Sequence, residues 1–181
     1  MNIEMQLEQY KRPGLHSDDI VEHLDTLTRY ADECDHVTEM GFRVGTSFCA
    51  LLAAEPKKLI TYDIKIDDVY INNFKKLACD KTECVFHEKS TLDVEIEETD
   101  LLFIDTLHTY TQLKQELKLH GNKSRKYLIF HDTVTYGNYG EDHQTPGLKL
   151  AIEEFLMDNP QWKMHAHYYN CNGLTVIKRT C

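Results

Sequence analysis

The sequence predicts an α/β fold with a mostly parallel sheet, covered by helices and ending in an antiparallel C-terminal hairpin. Short apolar runs alternate along the chain with segments whose apolar residues recur at helical spacing, which is the pattern of strand-helix-strand units with right-handed crossovers. Two of these runs, 100–105 and 127–132, are apolar between polar ends, as strands buried on both faces are. Near the C-terminus, an Asn172-Gly173 turn separates two strand-like runs, which indicates a hairpin.

The elements follow one another in a regular order. The first is a helix near 17–33, where Ser17 is a candidate N-cap and apolar residues from Ile20 to Ala31 lie on one face. Strands are expected at 36–41, 59–63, 83–87, 100–105, 127–132, 161–169 and 174–178. Helices are expected between them at 47–54, 69–78, 113–119 and 148–158. We therefore expect one globular domain, with residues 1–34 as a helical arm and residues 35–181 as the α/β part.

The composition excludes several classes of protein. The 181 residues include 30 Asp and Glu against 20 Lys and Arg, and this net charge of −10 disfavours nonspecific binding to duplex DNA, which depends on basic side chains. No apolar run approaches the roughly 20 residues of a membrane-spanning helix, and the polar start is not typical of a secretory signal. The six cysteines include no C-x-x-C pair, which favours free thiols. We expect a cytoplasmic protein that binds neither nucleic acid nor membranes.

A glycine turn after the first strand is the first candidate ligand site. Glu39, Gly41, Gly45 and Ser47 form the pattern E-x-G-x-x-x-G-x-S at the predicted start of a helix. The turn glycines let a ligand approach the backbone, the helix start favours a carboxylate or phosphate, and Glu39 favours an ammonium group, so an amino acid moiety fits both ends. Asp63, at the end of the second strand, suits ribose hydroxyls. The structural alternatives are an ordinary turn and a helix-capping Asp.

Two further polar clusters follow buried strands. Asp105 and His108 come after the fourth predicted strand, and His131 and Asp132 lie at the end of the fifth. Ligands of open parallel sheets bind outside the carboxyl ends of the strands, so we expect these side chains to converge with the glycine turn. Carboxylates and imidazoles suit Mg²⁺ or a transition metal, and they also serve as general bases. A helix-capping Asp and a packed histidine are the structural alternatives.

Six short motifs resemble those of a known family. They are, in chain order, VTEMGFRVGTS, TYDIK, DLLFIDTLHTY, YLIFHDT, PGLKLAIEEF and NGLTVIKR. The chain is similar here to class I S-adenosylmethionine-dependent methyltransferases, and most similar to the branch of catechol O-methyltransferase-like, macrocin O-methyltransferase and cephalosporin hydroxylase-like enzymes. The resemblance covers about residues 35–180 and implies a Rossmann-like three-layer sandwich with a seven-stranded sheet whose last strand is antiparallel.

The resemblance also implies a function for each candidate residue. The glycine turn would bind the methionine end of the cofactor, Asp63 its ribose, and the segment before Ser90 would lie near its adenine. The implied cofactor-binding residues are Glu39, Gly41, Gly45, Ser47, Asp63, Ser90 and Asp105. The implied catalytic residues are Asp105, His108 and His131, and the implied metal ligands are Asp105, His131 and Asp132. His131 and Asp132 stand where metal-dependent relatives carry Asp-Asp or Asp-Asn, and Ser90 stands where many relatives carry an acid.

These features predict an S-adenosylmethionine-dependent O-methyltransferase that acts on a hydroxyl of a small molecule or glycan, with or without a divalent metal such as Mg²⁺. Without a metal, His131 or His108 is the candidate base, and the segment 137–147 is a candidate lid. One alternative is a nicotinamide-dependent oxidoreductase, which usually has G-x-G-x-x-G where this chain spaces its glycines four apart. Another is a binding module that keeps the fold without turnover. Contacts through the arm or the hairpin would make the protein a homo-oligomer.

Overall fold

The computed structural model describes residues 2–12 and 19–180, and the chain divides into two units, Met1–Thr91 and Leu92–Cys181. The helices of the first unit are α1 (Ile3–Tyr10), α2 (Leu24–Ala31), α3 (Thr46–Ala53) and α4 (Asp68–Ala78), with a 3₁₀ turn at Val21–His23. Its strands are β1 (His36–Met40), β2 (Lys58–Asp63) and β3 (Glu83–Glu88). They are parallel and lie in the order β3-β2-β1.

The second unit contains the two strands that the sequence predicts to be buried on both faces. Its strands are β4 (Thr99–Ile104), β5 (Ser124–His131), β6 (Trp162–Tyr168) and β7 (Leu174–Arg179), in the order β4-β5-β7-β6. Its helices are α5 (Tyr110–His120) and α6 (Leu148–Asp158), with a 3₁₀ turn at Gly121–Lys123 and another, Thr91–Asp93, at the boundary of the units. β4 and β5 are parallel, whereas β7 runs antiparallel to both β5 and β6.

The predicted α/β fold class is confirmed: the strands of the first unit are parallel, and the second unit combines the parallel pair β4 and β5 with antiparallel strands at its C-terminal end. The apolar centre of β4 is fully buried at Leu101, Leu102 and Phe103, as expected for a strand covered on both faces. The C-terminal hairpin turns at Asn172-Gly173, where both residues have positive φ, 65° and 94°. Asn and Gly are the residues that adopt this conformation at least cost.

The predicted helix near 17–33 is shorter in the structure. The chain first forms the 3₁₀ turn, in which the His23 N–H donates to the Ile20 carbonyl at 2.9 Å, and α2 begins only at Leu24. The apolar face is as predicted, since Leu24, Leu27 and Ala31 are fully buried. The candidate N-cap Ser17 lies outside the described residues. The division into an arm, 1–34, and an α/β part, 35–181, stays a prediction.

Helix α1 is an element that the sequence reading missed. Its N-cap is Asn2, whose side-chain oxygen accepts a hydrogen bond from the Met5 N–H at 2.9 Å. Ile3, Leu7 and Tyr10 are buried, and their spacing places them on one side of the helix. Both signals are present in the sequence, as an Asn before a helical pattern and as apolar residues at i, i+4 and i+7.

The first unit has an aromatic core that closes around the glycine turn. Phe42, Phe48 and Phe74 are almost fully buried, and their ring centroids are 5.0 to 5.9 Å apart in edge-to-face contacts, an arrangement that aromatic pairs prefer. Gly45 starts α3 at a φ of 82°, and a Cβ there would lie 2.4 Å from a ring carbon of Phe74. No side chain fits at this position without displacing the ring.

We expect Gly45→Ala to destabilise the protein by about 2–4 kcal/mol, because the left-handed conformation and the overpacked ring both cost free energy. The measurement is the free energy of unfolding in urea. Lys76→Ala, on the exposed side of α4, is the control and should change it by less than about 0.5 kcal/mol. Equal stability of the Gly45→Ala variant and the parent protein would contradict this account of the turn.

Candidate functional site

The glycine turn joins β1 to α3 in the first unit and depends on left-handed backbone conformations. Gly41 and Gly45 have φ values of 97° and 82°, and Arg43 between them has a φ of 50°. The turn is closed by a hydrogen bond from the Gly45 N–H to the Phe42 carbonyl at 2.7 Å. Gly45 has no side chain with which to cap α3, so the first N–H groups of the helix are not capped by it.

Asp63, the last residue of β2, holds this turn in place. Its Oδ2 accepts hydrogen bonds from the backbone N–H groups of Phe42 and Arg43, both at 2.8 Å, and its Oδ1 accepts one from the Lys65 N–H at 3.2 Å. The side chain is half-buried. A carboxylate offers about four acceptor positions, so these three bonds leave capacity for a hydroxyl donor. Binding of ribose by Asp63 stays a prediction.

Glu39 is fully buried near the end of β1. Its two oxygens accept hydrogen bonds from the hydroxyl groups of Ser47, at 2.6 Å, and Thr61, at 2.7 Å. Glu39 therefore connects β1 to the first turn of α3 and to β2. Binding of a cofactor by Glu39 or Ser47 stays a prediction.

Ser90 is half-buried and follows the end of β3. Glu88, the last residue of that strand, is the register partner of Asp63, and the Lys89 N–H donates to the Asp63 carbonyl at 2.8 Å. The structure thus brings the glycine turn, Asp63 and the segment before Ser90 to the same edge of the first unit's strands. This is the edge at which the carboxyl ends of parallel strands meet, where α/β proteins bind their ligands.

A cluster of carboxylates and imidazoles lies at the equivalent strand ends of the second unit. Asp105 follows β4, and His131 and Asp132 end and follow β5. His131 is fully buried and Asp132 is 2% exposed. His131 Nδ1 lies 3.4 Å from Asp105 Oδ2 and 3.3 Å from Asp132 Oδ2, and each of the three residues offers a ligand atom within 4.8 Å of the others.

His108 completes this cluster. Its Nε2 lies 2.9 Å from Asp132 Oδ2 and 3.3 Å from Asp105 Oδ1, so both imidazoles face the same two carboxylates. Its Nδ1 contacts Glu141 Oε2 at 2.8 Å, and its ring stacks on Tyr136 with centroids 4.8 Å apart. All of these residues belong to the second unit.

In each imidazole, the nitrogen that faces away from Asp105 and Asp132 contacts an oxygen that only accepts hydrogen bonds. For His131 this oxygen is the Cys171 carbonyl, 3.0 Å from Nε2, and for His108 it is the Glu141 carboxylate. These nitrogens therefore carry hydrogens, and a neutral ring would turn a bare lone pair toward Asp105 and Asp132. A proton on each imidazole, or a cation bound between the rings and the carboxylates, removes this repulsion.

The pKa shifts of these groups reflect the same constraint. Burial by itself lowers the pKa of both imidazoles, but hydrogen bonds to Asp105 and Asp132 outweigh it and raise the pKa of His108 to about 11 and that of His131 to about 10. Burial by itself raises the pKa of both carboxyl groups, yet their bonds to the two histidines hold it below its usual value. A protonated imidazole cannot accept a proton. Either histidine could act as a base only after losing the proton that balances the two carboxylates, so a cation would have to take its place.

The donor set of this cluster fits a divalent metal. Asp132 Oδ1 is buried and has no hydrogen-bond partner among the described residues, and an unsatisfied buried oxygen costs free energy that a ligand would recover. The backbone of Asp132 is also left-handed, with φ at 60°, a conformation that non-glycine residues retain only where the surrounding structure enforces it. Asp105, His131 and Asp132 together supply carboxylate and imidazole donors, which divalent metals accept.

Glu141 and Tyr136 are the site residues that the sequence reading did not single out. Both lie in the loop between β5 and α6, within which the sequence marked residues 137–147 as a candidate lid. Backbone hydrogen bonds attach this loop to the segment after β4, from the Glu141 N–H to the His108 carbonyl at 3.0 Å and from the Tyr110 N–H to the Pro146 carbonyl at 3.1 Å. A separation of 33 residues between Glu141 and His108 gives no periodic signal.

Comparison with known proteins supports the fold. No family model and no curated protein matches the chain. An O-methyltransferase from Bacillus cereus, solved in complex with S-adenosylhomocysteine, matches with a TM-score of 0.67 at 15% identity, over 98% of this chain and 90% of that one. The O-methyltransferase TomG from Streptomyces achromogenes, solved with S-adenosylmethionine, matches with a TM-score of 0.62 at 16% identity, over 100% and 91%.

A third solved structure is an N-methyltransferase. NodS from Bradyrhizobium japonicum, solved with S-adenosylhomocysteine, matches with a TM-score of 0.64 at 14% identity, over 99% of both chains. Identities this low establish the fold alone. The chain therefore has the Rossmann-like fold of class I S-adenosylmethionine-dependent methyltransferases, as the sequence resemblance implied. None of the helices within residues 2–12 and 19–180 combines the length and hydrophobicity that crossing a bilayer requires.

We expect Asp63→Ala to lower the free energy of unfolding by about 1–3 kcal/mol, because the N–H groups of Phe42 and Arg43 lose a charged acceptor. Urea unfolding measures this loss. Asp63→Asn keeps one side-chain oxygen for the turn and should lose less than Asp63→Ala. A stability of Asp63→Ala equal to that of the parent protein would show that the turn does not depend on this carboxylate.

Proposed function

We propose that this chain is an S-adenosylmethionine-dependent methyltransferase that methylates a hydroxyl group of a small molecule or sugar. The observation that carries the proposal is the left-handed glycine turn between β1 and α3, held by the carboxylate at the end of β2. Solved proteins of the same fold contain S-adenosylmethionine or S-adenosylhomocysteine, and we extend this cofactor to the present chain.

The groups at the carboxyl ends of the first unit's strands each suit one part of this cofactor. Gly41 and Gly45 leave the backbone open to a ligand, and the N–H groups at the start of α3 attract a carboxylate, as the methionine end of the cofactor has. Asp63 retains acceptor capacity for ribose hydroxyls. Glu39 and Ser47, which bond each other beneath the turn, and Ser90, which follows β3, are the other proposed cofactor-binding residues.

We propose that the carboxylate and imidazole cluster of the second unit acts on the methyl acceptor. The methyl donor leaves as a neutral thioether, so the protein has to orient the acceptor hydroxyl and remove its proton. We assign this task to Asp105, His108 and His131, with the Asp105 carboxylate as the acceptor of the proton and the two imidazoles orienting the hydroxyl. A divalent metal, which Asp105, His131 and Asp132 would hold, lowers the pKa of a bound hydroxyl. Asp105 would also border the cofactor site beside the methyl group, where it adds little to cofactor affinity.

The charge of the chain favours a small acceptor. A net charge of −10 repels nucleic acid phosphates, whereas a sugar or other small polyhydroxyl compound carries no such charge. From the sequence we also propose that the protein is cytoplasmic and that it binds neither nucleic acid nor membranes. We further propose that it forms a homo-oligomer.

We expect Asp63→Asn to weaken binding of S-adenosylmethionine about 10- to 100-fold, because an amide nitrogen cannot accept a hydrogen bond from ribose. Isothermal titration calorimetry measures this affinity. Titration with NAD is the comparison, since an oxidoreductase of related fold would bind NAD and not S-adenosylmethionine. Binding of NAD alone would overturn the proposal.

We expect Asp105→Ala to abolish methyl transfer to hydroxyl acceptors while leaving the affinity for S-adenosylmethionine largely intact. Formation of S-adenosylhomocysteine with a panel of sugars and phenols measures the transfer. Asp158→Ala, which removes an exposed carboxylate at the end of α6, is the matched control and should retain activity. Unchanged turnover in Asp105→Ala would remove this residue from the mechanism, and cofactor binding without turnover on any acceptor would favour a non-catalytic module.

A further inference from the structure

The metal part of the proposed function can be taken further, because the second-unit cluster contains two imidazoles. We propose that it binds a divalent first-row transition-metal ion in preference to Mg²⁺, with His108 as a ligand beside Asp105, His131 and Asp132. Glu141 is the carboxylate that positions His108. This inference deepens the proposed function, but its test depends on neither cofactor binding nor activity.

The donor types carry the choice of metal. Mg²⁺ prefers oxygen ligands and retains several waters, whereas imidazole nitrogen suits iron, nickel, copper and zinc ions. His108 Nε2 and His131 Nδ1 both face Asp132 Oδ2, at 2.9 and 3.3 Å, and each also faces an oxygen of Asp105. Both imidazole nitrogens thus border the same two carboxylates, and imidazole is a poor ligand for Mg²⁺.

The imidazole nitrogens that face away from Asp105 and Asp132 make the contacts that are typical of metal-ligating histidines. Such a histidine usually donates its other N–H to a carboxylate or a backbone carbonyl, which fixes the tautomer and turns the free lone pair to the metal. His131 meets the Cys171 carbonyl in this way, and His108 meets Glu141. The Tyr136 ring, stacked at 11° to His108, further restricts its orientation.

Glu141 is attached to His108 at more than one point. Its Oε2 lies 2.8 Å from His108 Nδ1, and its backbone N–H donates to the His108 carbonyl at 3.0 Å. The loop around it is ordered by Asp142, which accepts hydrogen bonds from the backbone N–H groups of Gln144 and Thr145, both at 2.9 Å. A purely structural loop does not require a carboxylate against the imidazole, whereas a metal-ligating imidazole does benefit from one.

The experiment compares binding of Co²⁺ and Mg²⁺ to the full-length protein freed of metal. Visible absorption of Co²⁺ reports its binding, competition with Mg²⁺ reports the preference, and X-ray absorption spectroscopy counts the imidazoles on Co²⁺. We expect Co²⁺ to bind at least about 100-fold more tightly than Mg²⁺. We expect two imidazoles per ion in the parent protein and one in His108→Ala.

Three further variants make the test specific. Glu141→Gln removes the carboxylate behind His108 and should weaken Co²⁺ binding about 10- to 100-fold, with two imidazoles still bound. His131→Asp exchanges a nitrogen for an oxygen and should narrow the preference for Co²⁺ over Mg²⁺. His143→Ala removes an exposed imidazole of the same loop and should leave both affinities unchanged. Circular dichroism verifies the folding of each variant, and Glu141→Gln and His131→Asp test the proposal if His108→Ala does not fold.

Equal affinities for Co²⁺ and Mg²⁺, a single imidazole on Co²⁺ in the parent protein, or no metal binding at all would each overturn the inference. These failures are distinct from failure of the proposed function, because S-adenosylmethionine binding is measured separately. A protein that binds Co²⁺ through two imidazoles but does not bind S-adenosylmethionine would retain the metal site and lose the methyltransferase assignment.

Discussion

Negative charge at the ends of β4 and β5, half-buried at Asp105 and buried at Asp132, is the constraint around which the second unit is built. Asp105 and Asp132 cannot remain ionised next to apolar strands without positive charge close by. The two imidazoles that face them meet this need only if protons or a cation lie between the groups. Within residues 2–12 and 19–180 the buried Asp132 Oδ1 has no hydrogen-bond partner, so the side chains described there do not fully satisfy the cluster.

In the first unit, the groups that need partners at the carboxyl ends of the strands are backbone N–H groups. A strand that turns sharply into a helix exposes backbone N–H groups, and Asp63 takes up two of them at the cost of some of its own accepting capacity. Glu39 fixes the next layer through the Ser47 and Thr61 hydroxyls. These carboxylates therefore fix the turn and the start of α3 through the protein's own hydrogen bonds.

The sequence predicted the elements well where periodicity and burial coincide. The apolar runs of β4 and β5 and the Asn172-Gly173 turn were recognisable because a strand covered on both faces and a left-handed turn each demand particular residues. The N-terminal region was harder, because a 3₁₀ turn at Val21–His23 has no periodic signature and the Asn2 cap precedes a helix of only eight residues.

The candidate site was predictable in part. Asp105, His131 and Asp132 could be grouped because they follow buried parallel strands, whose ends meet at one edge. Glu141 and Tyr136 could not, since their positions depend on how an irregular loop folds back, and no local pattern encodes that path. The contact of the Cys171 carbonyl could not be predicted either, because every residue has a backbone carbonyl and the residue type does not show which one will bind.

The hairpin turn between β6 and β7 has a consequence for how this sequence can change over time. The Cys171 carbonyl receives the His131 N–H, and the Asn172 and Gly173 carbonyls receive N–H groups from Val134 and Thr133. Residues 131–134 and 171–173 are therefore expected to covary among homologues, because a substitution that reshapes the turn would rotate an imidazole 40 positions earlier in the chain.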